Sequence, residues 1–197
     1  MKKINFKRIL GKNEGLTMVE LLTVMAITVI LSVTVFGNYS ASNDNQALDR
    51  ASQKLAQDFR RVGEMALSGQ DVTGAANGFG IYFYRGTLAD SKKYIVYKNI
   101  NADYRYSGDT VTETVNIEKG VMICDVRMGG VSEGDGALSV AFKPPEPTVY
   151  VENDPTDSEA SIILVPEATT GCPSPAAGTK QRTVKINNIG RIDVTNP

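Results

Sequence analysis

Few residues in this chain are equipped for chemistry. It contains no histidine, so the commonest general base and the commonest transition-metal ligand are both missing. The remaining candidates are one carboxylate in an apolar run, two cysteines, several acidic turns and a basic C-terminal cluster. Glu20 is the only charge between Leu16 and Phe36. A carboxylate near the start of such a run costs about 2–3 kcal/mol on insertion and is usually kept for a function. It needs a cation. Cutting the chain between Gly15 and Leu16 would create an α-amino group, and on a neighbouring subunit that amine can pair with Glu20. The bland alternative is a carboxylate snorkelling to an interface.

The other groups have ordinary explanations beside the sharper ones. Cys124 and Cys172 can close a long disulfide loop if they lie outside the cytoplasm. The alternation Met122, Cys124, Val126, with Asp125 on the opposite face, also fits a small inward-facing hydrophobe. Asn99, Asn101 and Asp103, followed by Asp109 and Glu113, have the oxygen-rich spacing of a calcium loop. Tyr104 stands where the turn needs Gly and Thr110 where it needs a bidentate Glu, so a solvated turn is favoured and no metal is expected. Glu152, Asp154, Asp157 and Glu159 read the same way. Lys180, Arg182, Lys185 and Arg191 gather positive charge opposed only by Asp193, a set that can touch DNA phosphates or guard a strand edge.

Positioning these groups falls to three kinds of segment. The run 16–36 is long enough, at 1.5 Å per residue, to cross roughly 30 Å of hydrocarbon as a helix. Lys2, Lys3, Lys7, Arg8 and Lys12 precede it against Glu14 alone, which keeps the N-terminus cytoplasmic and places the chain beyond Phe36 outside. A secretory signal would have a shorter apolar run. Next, Leu48, Ala51, Leu55, Phe59, Val62 and Ala66 repeat at helical spacing, with Asn43 or Asp44 as cap, Gly69 as stop, and Arg50, Lys54, Asp58 and Arg61 on a solvated face. After Gly69, short alternating runs broken by Gly, Asn, Asp and Pro predict seven to nine antiparallel strands. The expected fold class is α+β: a long N-terminal membrane-spanning helix followed by an antiparallel β-rich head. The expected segments are a leader 1–15, a membrane or filament-core helix 16–36, its amphipathic continuation 37–69 and an extracytoplasmic head 70–197.

Gly15-Leu16-Thr17-Met18-Val19-Glu20-Leu21-Leu22 resembles the processing site of type IV prepilins and type II secretion pseudopilins. The resemblance implies a membrane prepilin peptidase that cuts after Gly15 and methylates Leu16, where the family more often has Phe. It also implies that Glu20 guides subunits into a helical filament. Gly37 stands where the family commonly has Pro, and Val29 where it has a small residue. The element order, with 55–61 before the strands and a terminal Gly190-Arg191-Ile192, is similar to the H-type minor pseudopilins and FimT-like minor pilins. In the latter a basic motif after Gly-Arg serves DNA uptake, whereas Ile192 and Asp193 stand after it here.

The functional expectation is a structural minor pilin or pseudopilin, held in the cytoplasmic membrane by its N-terminal helix. Its implied partners are prepilin peptidase, other pilin or pseudopilin subunits, an inner-membrane assembly platform, membrane lipid and, less directly, DNA. The alternative is a membrane-anchored surface module for a glycan, metal or DNA that never assembles. No enzyme activity and no cofactor are expected, since without histidine catalysis would need a carboxylate pair that the sequence does not offer.

Overall fold

The computed structural model describes residues 17–68, 78–101, 103–145, 148–156 and 159–196, with backbone alone over 35–42. Two compact units result, Met1–Ser42 and Asn43–Pro197. The helix α1 spans Met18–Leu67 and contributes one piece to each unit. Asn43 and Asp44 therefore lie inside it and do not cap it.

The sequence expectation of a membrane-spanning N-terminal helix is corrected here: among the described residues no helix is long and apolar enough to cross a membrane. The helix carries the Glu20 carboxylate in its first turn, a charge that apolar surroundings disfavour, and from Asn43 onward its residues serve the amphipathic face of the second unit.

In that unit the described residues form ten strands: β1 (Gly78–Tyr84), β2 (Lys93–Asn99), β3 (Thr110–Asn116), β4 (Val121–Met128), β5 (Val131–Ser132), β6 (Ala137–Lys143), β7 (Thr148–Val151), β8 (Ala160–Pro166), β9 (Arg182–Ile186) and β10 (Ile192–Thr195). They make two five-stranded sheets, ordered β3-β2-β1-β6-β7 and β10-β9-β8-β4-β5. All the pairings between these strands are antiparallel. The two-residue β5 is too short to leave a periodic signal. The last strand begins only at Ile192, because Gly190, at φ 80°, helps close a turn after β9. There the Gly190 N–H donates to the Asn187 carbonyl at 3.0 Å.

One core joins the helix to both sheets. All six positions of the helical stripe, Leu48, Ala51, Leu55, Phe59, Val62 and Ala66, are buried. They share a single cluster with Ile81, Phe83, Val96, Leu138 and Val140 of the first sheet and Ile123, Val126, Ile162, Leu164 and Val184 of the second. A helix this rich in β-sheet neighbours owes its place to that apolar stripe rather than to intrinsic propensity.

The polar edge of the helix is not simply solvated. Arg61 pairs with Glu113 of β3 at 2.8 Å and with Asp58 at 3.1 Å, and its pKa is raised chiefly by the hydrogen bond to Glu113. Lys54 Nζ donates to the Asn116 carbonyl at 3.2 Å, and Tyr94 O–H donates to Asp58. Burial first, and then Asp58, push the Tyr94 phenol well above its ordinary range. Charges that look solvated in sequence thus tie the helix to β2 and β3.

The alternation expected in β4 is interrupted. Ile123 pairs with Leu164 and Asp125 with Ile163, leaving Cys124 as the extra residue of a β-bulge. Past the bulge Val126 joins the main core, while Met122 and Cys124 belong to a smaller cluster with Ile163 and Val165. Cys172 packs on that cluster and is disulfide-bonded to Cys124, with Cα atoms 5.1 Å apart.

Candidate functional site

The N-terminal unit carries the most unusual surface. Gly15 and Leu16, the expected processing site, lie outside the described residues. Helix α1 starts two residues after Leu16, and its first turn is built by Thr17 and Glu20. The Thr17 hydroxyl accepts from the Glu20 N–H at 3.3 Å, and Glu20 Oε2 accepts from the Thr17 N–H and the Thr17 O–H, both at 3.4 Å. This reciprocal pair is a capping box. Thr17-Met18-Val19-Glu20 has the sequence pattern for one, a local role that the assembly reading of Glu20 overlooked. The bonds are long and the carboxylate exposed, so it remains available to a stronger cation.

Beyond the cap the helix is apolar on all sides and uncovered. Met18, Val19, Leu22, Ile27, Val29, Ile30 and Val33 are each more than half exposed. Its hydroxyls, by contrast, turn inward. Thr23 donates to the Glu20 carbonyl at 2.8 Å, Thr28 to those of Val24 and Met25 at 2.9 Å, Ser32 to Thr28 at 2.7 Å and Thr34 to Leu31 at 2.8 Å. Such back-bonding leaves the helix surface nearly free of unmet polar demand. The segment can bury every side against apolar neighbours, leaving Glu20 as its one charge to neutralise.

Arg182 and Lys185 stand three residues apart on β9, on opposite faces of the strand, and the basic C-terminal residues meet carboxylates rather than forming one patch. Arg182 Nε lies 2.7 Å from Asp49, Lys185 Nζ 2.7 Å from Glu159 and Arg191 Nε 2.9 Å from Asp193. Lys180 also has a partner. A phosphate would have to displace these carboxylates, which lowers the counterion release that drives DNA binding.

The acidic turns are likewise self-satisfied. Asp109 accepts from the N–H groups of Ile100 at 2.8 Å and Ser107 at 3.2 Å. Asp103 accepts from the Arg105 N–H at 3.4 Å, while Asn101 donates to the Ser107 carbonyl. Glu152 pairs with Arg105, and Asp154 accepts from Thr156. Asp157 lies outside the described residues. Among the described residues no group of acids and cysteines is arranged to hold a metal ion.

A buried carboxylate that sequence reasoning placed on an outer face is Asp125, fully buried in β4. It accepts from Arg127 Nε at 2.6 Å, Ser132 O–H at 2.6 Å, the Val126 N–H at 3.0 Å and Arg85 Nη1 at 3.3 Å. With its lone pairs occupied it is a strut between β4, β5 and the segment after β1, not a base. Arg85 lies 40 residues away in sequence, so no local pattern reveals it.

Glu133, next to this strut, gives a pH signature. Burial, followed by the charges of Glu152 and Asp135, raises its carboxyl pKa above the ordinary 4.5. The folded state then binds this proton more tightly than the unfolded state. Its contribution favours folding below the unfolded pKa and is lost as pH rises through the folded one. Relative to the parent protein, Glu133→Gln should gain in melting temperature as pH rises from about 4 to 7. An unchanged profile would show that the carboxyl is fully solvated.

Scans against protein-family models, curated proteins and solved structures returned no match.

Proposed function

We propose that the chain is a filament subunit of the pilin or pseudopilin kind, processed after Gly15, held at the cytoplasmic membrane by its N-terminal segment and assembled by burying that segment against its counterparts. The carrying observation is the pairing of complete apolar exposure over 18–34 with hydroxyls already bonded to their own helix. Association of such helices lets each shield the others. It also brings a Glu20 carboxylate near the new α-amino group of Leu16 on a neighbour.

Two variants test this. Gly15→Asp should leave the chain at full length on gels and by N-terminal sequencing. Glu20→Ala should be processed normally yet enter filaments or crosslinked multimers at least about tenfold less, because an unpaired buried charge costs ~3–5 kcal/mol. A mature protein that begins at Met1, or multimers indifferent to Glu20→Ala, would favour a surface module that does not assemble.

A further inference from the structure

The two edges of the second sheet carry unlike surfaces. Its strand order puts β5 at one edge and β10 at the other, four strand spacings or roughly 19 Å apart. At the β5 edge, Met128 pairs with Val131 across Gly129 and Gly130, whose φ values of 58° and 85° close a two-residue hairpin turn. Val131 stands out from this hairpin, 71% exposed. The only charges from Gly129 to Phe142 are Glu133 and Asp135, and among the described residues neither forms an ion pair. This edge is an apolar knob with acidic flanks.

The β10 edge has a socket. A groove of about 250 Å³ opens between the last turns of α1 and the turn from β9 to β10, with Leu67, Phe142, Ile189 and Ile192 in its lining. Ile189, in that turn, is 73% exposed and Leu67 is half exposed. The rim carries Arg60, Lys143 and Glu64. Arg60 forms no ion pair among the described residues, and Lys143 Nζ lies 5.8 Å over the rings of Tyr104 and Tyr150 rather than beside a carboxylate. The rim is therefore positive on balance. Apolar knob and apolar socket carry opposite charge, which fixes partner and orientation more than it adds affinity.

Opposite edges of one sheet cannot meet within one molecule, so the knob that fits this socket comes from another. A contact between unlike surfaces of identical chains repeats from copy to copy, and it builds an open series when the rotation does not close. We infer that the groove at the β10 edge receives the Val131 hairpin of a second copy of this chain, with Glu133 and Asp135 set against Arg60 and Lys143. The inference deepens the filament reading, resting on it for what concentrates the heads and adding which of their surfaces meet.

The test is crosslinking of the full chain, in the membranes of cells that make it, with a short bismaleimide. Both native cysteines are held in the disulfide, so only introduced thiols react. Val131→Cys on one tagged copy should link to Ile189→Cys on a differently tagged copy, and the double variant should give multimers beyond the dimer. Neither single variant should link to itself. Asp135→Lys and Arg60→Glu should each lower the yield about threefold or more, and together restore it. All four replaced side chains are exposed, so the head keeps its fold. Val33→Cys, on the exposed N-terminal helix, reports helix association in parallel. Its self-linkage without linkage between 131 and 189 would overturn this inference and leave the filament reading standing; the converse result would sustain the head contact and remove the basis of that reading. Self-linkage of Val131→Cys, linkage only to a different protein, or a yield unmoved by the charge variants would each overturn the pairing.

Discussion

Phe59→Ala should destabilise the head by about 4 kcal/mol, as a large-to-small change at a fully buried aromatic does. Phe59 is 0% exposed, and its ring centroid is 5.8 Å from that of Phe83 on β1. It lies in the cluster that holds helix and both sheets together, so truncation removes transfer energy and leaves a cavity that two sheets and a helix cannot all close. For a unit of this size the loss corresponds to a fall in melting temperature of roughly 8–16 °C. Phe59→Leu should lose less than half as much, because it keeps most of the volume. Urea unfolding monitored by circular dichroism measures both. A loss below about 1 kcal/mol for the alanine variant would mean that the helix does not hold the sheets together.

Removing the disulfide should have an effect of similar size. Cys124 and Cys172 are separated by 48 residues, and a closed loop of that length lowers the entropy of the unfolded chain by an amount worth about 4 kcal/mol. The paired double variant Cys124→Ala with Cys172→Ser should therefore unfold at distinctly lower urea concentration, with protection of amides in 171–181 lost before that of β8. Fully buried Cys124 also contributes to the small cluster with Met122, Ile163 and Val165, so Cys124→Ala alone should cost more than Cys172→Ser alone. Equal stability of oxidised and reduced protein would show that the 166–181 segment is held by its turns and not by the crosslink.

Local information accounts for the helical stripe and most of the strands. Leu48, Ala51, Leu55, Phe59, Val62 and Ala66 recur at the helical period and every one is buried, because a 3.6-residue repeat places them on one side wherever the helix packs. The alternation of Ile81 with Tyr82 and Phe83 with Tyr84 set β1 in the same way. Thr17 and Glu20 were equally legible as a capping pair, since their spacing alone brings hydroxyl and carboxylate to the first turn.

Tertiary structure decided the rest, because it depends on residues distant in sequence. The bulge at Cys124 reverses the inside–outside order of β4 between Cys124 and Val126, and only pairing with β8 shows this. Asp125 is held in its buried position partly by Arg85, which reaches it from the segment after β1. Arg182 and Lys185 look like a basic patch until Asp49 and Glu159 arrive to pair with them. The apolar run 16–36 reads as a membrane span by composition, yet among the described residues no helix is long and apolar enough to cross a membrane, and from Asn43 onward helix α1 is amphipathic and packs into the second unit. Composition fixes which side chains seek an apolar neighbour; three-dimensional packing fixes how much of the helix is left without one.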